Sequence, residues 1–140
     1  MLWRQISLAE YGLSGNNASC VILLNIYGRQ ILIASNIEAK TEALLIDIAA
    51  KSDEFSLVSE LLIAPHHVSK TSSTFAFLSF VRPAYVSVSA GNNNAYGHPH
   101  KKNTDAYWEH CSHRYNTGRH GQIRLVFNTN GSYQVIPYSL

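Results

Sequence analysis

The chain has 140 residues, 46% of them hydrophobic and 14% charged, with a formal net charge of +2. That balance suits one compact globular domain, or a piece of one, over residues 1–140, and excludes a disordered or coiled-coil chain. Asn25, Arg29 and Gln30 interrupt the best apolar stretch, so no run reaches the ~18–20 residues of a membrane span, and no signal-peptide core is present. The chain as given reads as soluble.

In chain order, residues 1–19 read as irregular and end in the turn-prone Ser14-Gly15-Asn16-Asn17. Two apolar runs, 20–26 and 30–34, flank Tyr27-Gly28-Arg29 and predict a hairpin whose strands are covered on both faces. Residues 37–51 predict a helix with Leu44, Leu45, Ile48 and Ala49 on one stripe, Glu38 and Glu42 near its start and Lys51 at its end. Residues 57–64 read as a strand, and 74–81 as a short helix that stops before Pro83.

Alternation over 85–89 predicts another strand, followed by a loop at Gly91-Asn-Asn-Asn94. Asn103 is the expected N-cap of a helix running to about His113. A brief strand at 115–117 and a hairpin of 122–128 and 132–138 around Thr129-Asn130-Gly131 complete the chain. Strands alternating with helices predict a layered α/β fold. Cys20 and Cys111 form no Cys-x-x-Cys pair and leave the redox compartment open. Trp3 and Trp108 read as packing residues rather than base-stacking platforms, and Tyr96 as a brace for the turn before His98, with stacking on a base as its alternative. His110 and His113 have helical metal-binding spacing but no further ligands nearby in sequence.

Three polar loops follow three predicted strands: Ser35-Asn36, His66-His67 and Gly97-His98-Pro99-His100. In layered α/β folds ligands gather beyond one end of the strands, so these loops are expected to meet. Imidazoles held there suit a transition metal or a phosphate. A zinc or manganese site also wants carboxylates and an open position for water, and carboxylates are missing from these loops, which makes a half-site. From His98 onward Lys101, Lys102, Arg114, Arg119 and Arg124 face only Asp105 and Glu109, a basic half suited to polyanions.

Several segments together carry a family resemblance: Asn17-Ala-Ser-Cys-Val-Ile-Leu-Leu24, Ile31-Leu-Ile-Ala-Ser-Asn-Ile-Glu38, Leu62-Ile-Ala-Pro-His-His-Val-Ser-Lys-Thr-Ser-Ser73 and Val88-Ser-Ala-Gly-Asn-Asn-Asn-Ala-Tyr-Gly-His-Pro-His100. In order and spacing they resemble the metallo-β-lactamase-like domain of the ComEC family, the DNA-uptake channel proteins of natural competence. Thr117-Gly-Arg-His-Gly-Gln-Ile-Arg-Leu125 is similar to the last strands of that domain. The resemblance implies the C-terminal portion of an αββα sandwich whose metal ions, zinc or manganese, activate water for phosphodiester hydrolysis, degrading the DNA strand that is not imported. It also implies an extracytoplasmic, periplasmic location as part of an inner-membrane protein.

By that resemblance His67 and His98, and less directly His66, match metal-ligand or phosphate-side positions. Lys70, Thr71 and Ser72 match the adjacent polar loop. Two departures follow. The first metal motif, His-x-His-x-Asp-His, lies earlier than this chain begins and occurs nowhere in it. Asn36 stands at the position of the bridging carboxylate and supplies a carbonyl oxygen but no charge. No metal is therefore expected to bind tightly in this chain alone, and no catalytic residue is assigned.

Three readings follow from these residues. The first is the C-terminal segment of a ComEC-like protein, or a degenerate relative of it, inactive alone and binding DNA through Lys70, Thr71, Ser72, Lys101, Lys102 and Arg119. The second is an active metal-dependent phosphodiesterase built on His66, His67 and His98. The third is a structural module whose bare sheet face pairs with the N-terminal half of the domain, with the rest of the channel protein, or with a second copy as a homodimer.

Overall fold

Strands β1 (Leu2–Ile6), β2 (Val21–Ile26) and β3 (Arg29–Ile33) form an antiparallel meander. Strands β4 (Leu61–Ile63), β5 (Tyr85–Val88) and β6 (His113–Asn116) extend it in parallel, giving one six-stranded sheet ordered β1 to β6. The protein is thus α/β, as its pattern predicts. The computed structural model describes residues 2–6 and 8–138. The side chains of Trp3 and Trp108, expected to pack, lie outside the described residues.

Helices α1 (Ala39–Ala50), α2 (Phe75–Val81) and α3 (Lys101–His110) connect β3, β4, β5 and β6 in turn. Parallel neighbours joined in sequence order by crossovers of one hand place every connecting helix on the same face. The core records this. Val21, Leu32, Leu62 and Val86 from one sheet face pack with Leu45 of α1, Phe77, Leu78 and Val81 of α2 and Tyr107 of α3.

The opposite face is different. Ile31 and Leu61 are buried there, but Ile22, Leu24, Ile26, Ile33 and Ile63 are only half-buried. Its cover is a hairpin of β7 (Gln122–Phe127) and β8 (Tyr133–Tyr138), reached through the short helix α4 (Thr117–His120). Tyr133 meets Tyr85 edge-on at 5.5 Å, its hydroxyl donates to Glu60 Oε1 (2.7 Å), and Arg29 Nε donates to the Gly131 carbonyl (2.8 Å). A two-stranded hairpin cannot span six strands. The expectation that β2 and β3 are covered on both faces is therefore corrected, since only one face receives helices.

Other boundaries shift for identifiable reasons. Residues 1–19, expected to be irregular, include β1, whose ladder with β2 supplies hydrogen bonds that local sequence does not advertise. The strand expected over 57–64 shrinks to Leu61–Ile63, because Glu60 N–H pairs with Gln30 O and Ser59 N–H with Val81 O outside the ladder. Asn103 is not the N-cap of α3. His100 holds that place, and the Asn103 amide donates instead to the carbonyls of Ser69 (2.5 Å) and Ser72 (2.7 Å). Cys20 is exposed and Cys111 buried, and both are free thiols.

The predicted stripe on α1 also moves. Its fully buried positions are Thr41, Glu42 and Leu45, with Leu44, Ile48 and Ala49 only half-covered. Glu42, expected near the helix start, accepts from the backbone N–H groups of Ser73 (2.5 Å) and Thr74 (2.8 Å). It ties α1 to the start of α2, where Thr74 caps the helix through Phe77 N–H (3.3 Å). The Tyr107 hydroxyl donates to Ser73 Oγ (2.7 Å) from the other side.

Burial pushes the Glu42 carboxyl above its usual range, opposed by the Thr74 and Ser73 bonds. A raised folded-state value means that Glu42's contribution to stability is full below about pH 4.5 and declines as pH rises through the folded value. Glu42→Ala strands two amide donors and is expected to lower stability by about 1–3 kcal/mol per donor. Urea unfolding measures that loss, and Glu42→Gln is expected to flatten the pH slope above 4.5.

Candidate functional site

The three polar loops do meet, at the C-terminal ends of β3, β4 and β5. His66 N–H donates to Ser35 O (2.8 Å), and His100 N–H donates to Val68 O (2.8 Å). The rings of His66, His67 and His98 form a near-equilateral triangle with centres 6.3, 6.0 and 6.1 Å apart. Asn36 is exposed in the turn after β3, one residue beyond the Ser35 carbonyl that holds His66.

The backbone that carries two of these rings is unusual. His66, His67 and Val68 have φ of 46°, 54° and 60°, a left-handed turn without glycine. Such residues cost roughly 1–2 kcal/mol each, and a β-branched valine there is an outlier. The turn persists because its surroundings over-determine it. Val68 is fully buried in the core, and the Ser72 hydroxyl donates to Pro65 O (3.0 Å). Asn103 grips the following carbonyls, and Ser69 N–H returns to His66 O (2.9 Å).

Hydrogen bonds define the roles of the His67 Nδ1 and of both His66 ring nitrogens. His67 Nδ1 lies 2.5 Å from the Ser89 carbonyl, which can only accept, so Nδ1 carries a proton and in the neutral ring Nε2 is the nitrogen with the lone pair. His66 Nδ1 lies 3.5 Å from Glu38 Oε1 and 3.2 Å from Ser69 Oγ, while its Nε2 faces the Asn16 amide at 3.5 Å. Imidazoles that ligate metals are oriented in this way, with the second nitrogen donated to a carboxylate or carbonyl. His98 Nδ1 is buried without a partner among the described residues, and so is His100 Nδ1. Burial first, then the neighbouring imidazoles of His66, His67 and His100, hold His98 below the ordinary histidine range and so neutral at pH 7.

Glu38 is the residue that sequence reasoning missed. The three loops hold no carboxylate, yet Glu38 enters from just beyond the first of them. It accepts from Thr71 Oγ1 (2.8 Å) and the Asn17 amide (3.1 Å). The Thr71 bond leads in holding its carboxyl below the usual range, against a smaller opposing effect of burial. The only sequence signal is the conjunction of Asn16-Asn17, Glu38 and Thr71, three segments far apart in the chain. Asn94 is the second omission. Its side chain accepts from the N–H groups of Tyr96 (3.2 Å) and His98 (3.0 Å) and donates to the carbonyls of Gly91 and His98, which sets the 91–98 loop.

The remaining predicted residues divide. Lys70 and Thr71 join His66, His98, His100 and Tyr96 around a recess of about 420 Å³. Ser72 is buried, and its hydroxyl serves the loop backbone instead of facing the recess. Lys101 and Lys102 are exposed on the first turn of α3, directly after His100. Arg119 lines a separate recess of about 470 Å³ that shares only His98 with the triangle. Gly118 permits this approach, because a Cβ there would lie 2.7 Å from Ala90 O. His110 bonds Ser79 (2.9 Å) and His113 stacks on Tyr85 (4.6 Å), both away from the triangle.

A metal centre is not complete in these residues. With Zn–N bonds of about 2.1 Å, two imidazoles on one tetrahedral ion would have ring centres about 5 Å apart, closer than the spacing here. Among the described residues no group of three His, Cys, Asp or Glu side chains has the geometry to hold an ion. The nitrogen donors are oriented, but the donor set is partial.

Fold and site thus define an α/β protein with oriented imidazoles at the C-terminal edge of a parallel sheet. No family model matches the chain. It is 33% identical over 112 residues to Recombination protein 2 of Haemophilus influenzae, covering 80% of this chain and 13% of that protein. It is 27% identical over 125 residues to ComE operon protein 3 of Bacillus subtilis (89% and 16%), and 36% identical over 84 residues to Competence protein ComA of Neisseria gonorrhoeae (60% and 12%). The chain is therefore homologous, at modest identity, to a segment of competence proteins, and spans less than a fifth of the length of these curated relatives. Among the described residues no helix is long and apolar enough to cross a membrane.

A direct check of the strained turn compares His67→Gly with His67→Ala. Glycine ordinarily costs about 0.5–1 kcal/mol relative to alanine in regular structure. At a left-handed position the order inverts, and the glycine variant is expected to be the more stable by about 1 kcal/mol in urea unfolding. The reverse order would contradict the turn geometry.

Proposed function

We propose that this chain is the phosphate-holding part of a DNA-uptake protein of the ComEC family, from the C-terminal portion of its metallo-β-lactamase-like αββα domain. The observation that carries this reading is the His66–His67–His98 triangle, with rings 6.0–6.3 Å apart beside Lys70 and Thr71. Homology to Recombination protein 2 over 80% of the chain supports it. The layering supports the sandwich, since helices cover one sheet face and a hairpin begins a second sheet on the other.

In this reading Lys70, with Lys101, Lys102 and Arg119 further along the surface, neutralises backbone phosphates without reading sequence. Thr71 orients Glu38 and through it His66. His66, His67 and His98 present donors that zinc or manganese would use in a complete domain, where an ion supplies Lewis acidity to a phosphodiester. Asn36 contributes no charge to that set, and the chain alone binds DNA without cleaving it. The half-exposed Ile22, Leu24, Ile26, Ile33 and Ile63 are where the remainder of the domain, or a second copy, completes the sandwich. Periplasmic placement and degradation of the non-imported strand belong to the whole protein in this proposal.

Titration of labelled DNA with the chain over a range of salt tests this. Affinity is expected to fall steeply with salt, and Lys70→Ala to weaken binding while lowering the log–log slope by about one. Absence of binding at low salt would overturn the proposal.

A further inference from the structure

Tyr96 stands out among the exposed apolar side chains because of its place. Its sequence suggests a brace for the turn before His98, yet it is 83% exposed, so burial does not explain it. Its backbone is fixed by the Asn94 side chain (3.2 Å). Its ring lies 5.9 Å from that of His98 at an interplanar angle of 16°, and His98 in turn lies 6.1 Å from His67 at 26°. Tyr96 and His67 thus each stack on His98, at spacings normal for offset stacking. His67 is itself anchored on the Ser89 carbonyl.

A single exposed aromatic is ordinary on a protein surface. Two further features give this one a ligand. It walls the recess of about 420 Å³ that also holds Lys70, Thr71 and His66, a volume within the usual range for small-molecule sites. Lys70 and Thr71 in the same recess supply a cation and a hydroxyl. A flat aromatic platform beside a cation in one recess matches a planar base joined to an anionic group.

We infer that Tyr96 is a stacking platform for an unpaired base of a nucleic-acid strand whose phosphate lies toward Lys70 and Thr71. This rests on the DNA-binding reading above and sharpens it, because it names the substrate as single-stranded at this point. In a duplex the bases are stacked on each other and paired, so none reaches Tyr96 unless it is extruded at a cost of a few kcal/mol. An unpaired strand offers its base faces freely, and stacking tolerates any base.

Fluorescence anisotropy with a labelled oligothymidylate, and with the same strand in duplex with oligoadenylate, tests the inference on the full 140-residue chain. Tyr96→Ala is expected to weaken single-strand binding by about 5- to 150-fold, with duplex binding unchanged and Tyr96→Phe close to wild type. Tyr96 is exposed, so neither substitution threatens folding, and urea unfolding of each variant verifies this. Equal weakening of both DNAs, or no weakening of either, would overturn the stacking inference while leaving DNA binding in place. Failure of the wild-type chain to bind either DNA at low salt would overturn the DNA-binding reading and the inference together.

Discussion

The left-handed turn at His66-His67-Val68 is the constraint on which the rest of the site depends. A right-handed or extended backbone at these positions would send the two rings in different directions. The cost of the turn is met by a buried valine, by Asn103 reaching back from α3, and by hydrogen bonds to Ser35 and His100 on either side. Strain held by so many contacts is a common mark of a site whose geometry matters more than its local stability. The sheet makes those contacts possible, because β3, β4 and β5 run parallel and deliver their three loops to one edge.

Two carboxylates divide the labour around that turn. Glu42 is buried and structural, joining α1 to the start of α2 through backbone amides. Glu38, one helical turn earlier, is part-exposed and orients His66. Their environments push them in opposite directions, with burial raising Glu42 and the Thr71 hydrogen bond lowering Glu38. A carboxylate kept ionised beside an imidazole favours the tautomer with the proton on Nδ1. His98 is held neutral by burial first and then by the neighbouring imidazoles, and its ring lies about 6 Å from those of His66 and His67.

Much of this was legible in the chain. The apolar and alternating runs located β2 to β5, and the terminal hairpin and α2 fell close to their expected bounds, while β6 starts at His113, where the preceding helix was expected still to run. The convergence of the Ser35-Asn36, His66-His67 and His98 loops followed from strand–helix alternation. What could not be read were interactions between distant segments. Asn103 looks like an N-cap because capping is local, whereas its partners lie more than thirty residues away. Glu38 and Glu42 look alike in sequence, and only the packing of the 69–74 loop separates them. The second sheet face appeared covered because Ile and Leu runs do not reveal that all three crossover helices share one side.

The contacts around the turn fix the neutral rings of His66 and His67 with the proton on Nδ1, toward Glu38 and the Ser89 carbonyl, and leave His66 Nε2 to accept from the Asn16 amide. Long-range proton–nitrogen correlation NMR of the imidazole rings near neutral pH reads this directly. The account predicts that His67 gives the pattern of a single tautomer protonated at Nδ1, and that the neutral form of His66 does the same until Glu38→Gln removes its preference. Protons on Nε2, or rapidly averaging tautomers at both residues in the wild-type chain, would contradict it.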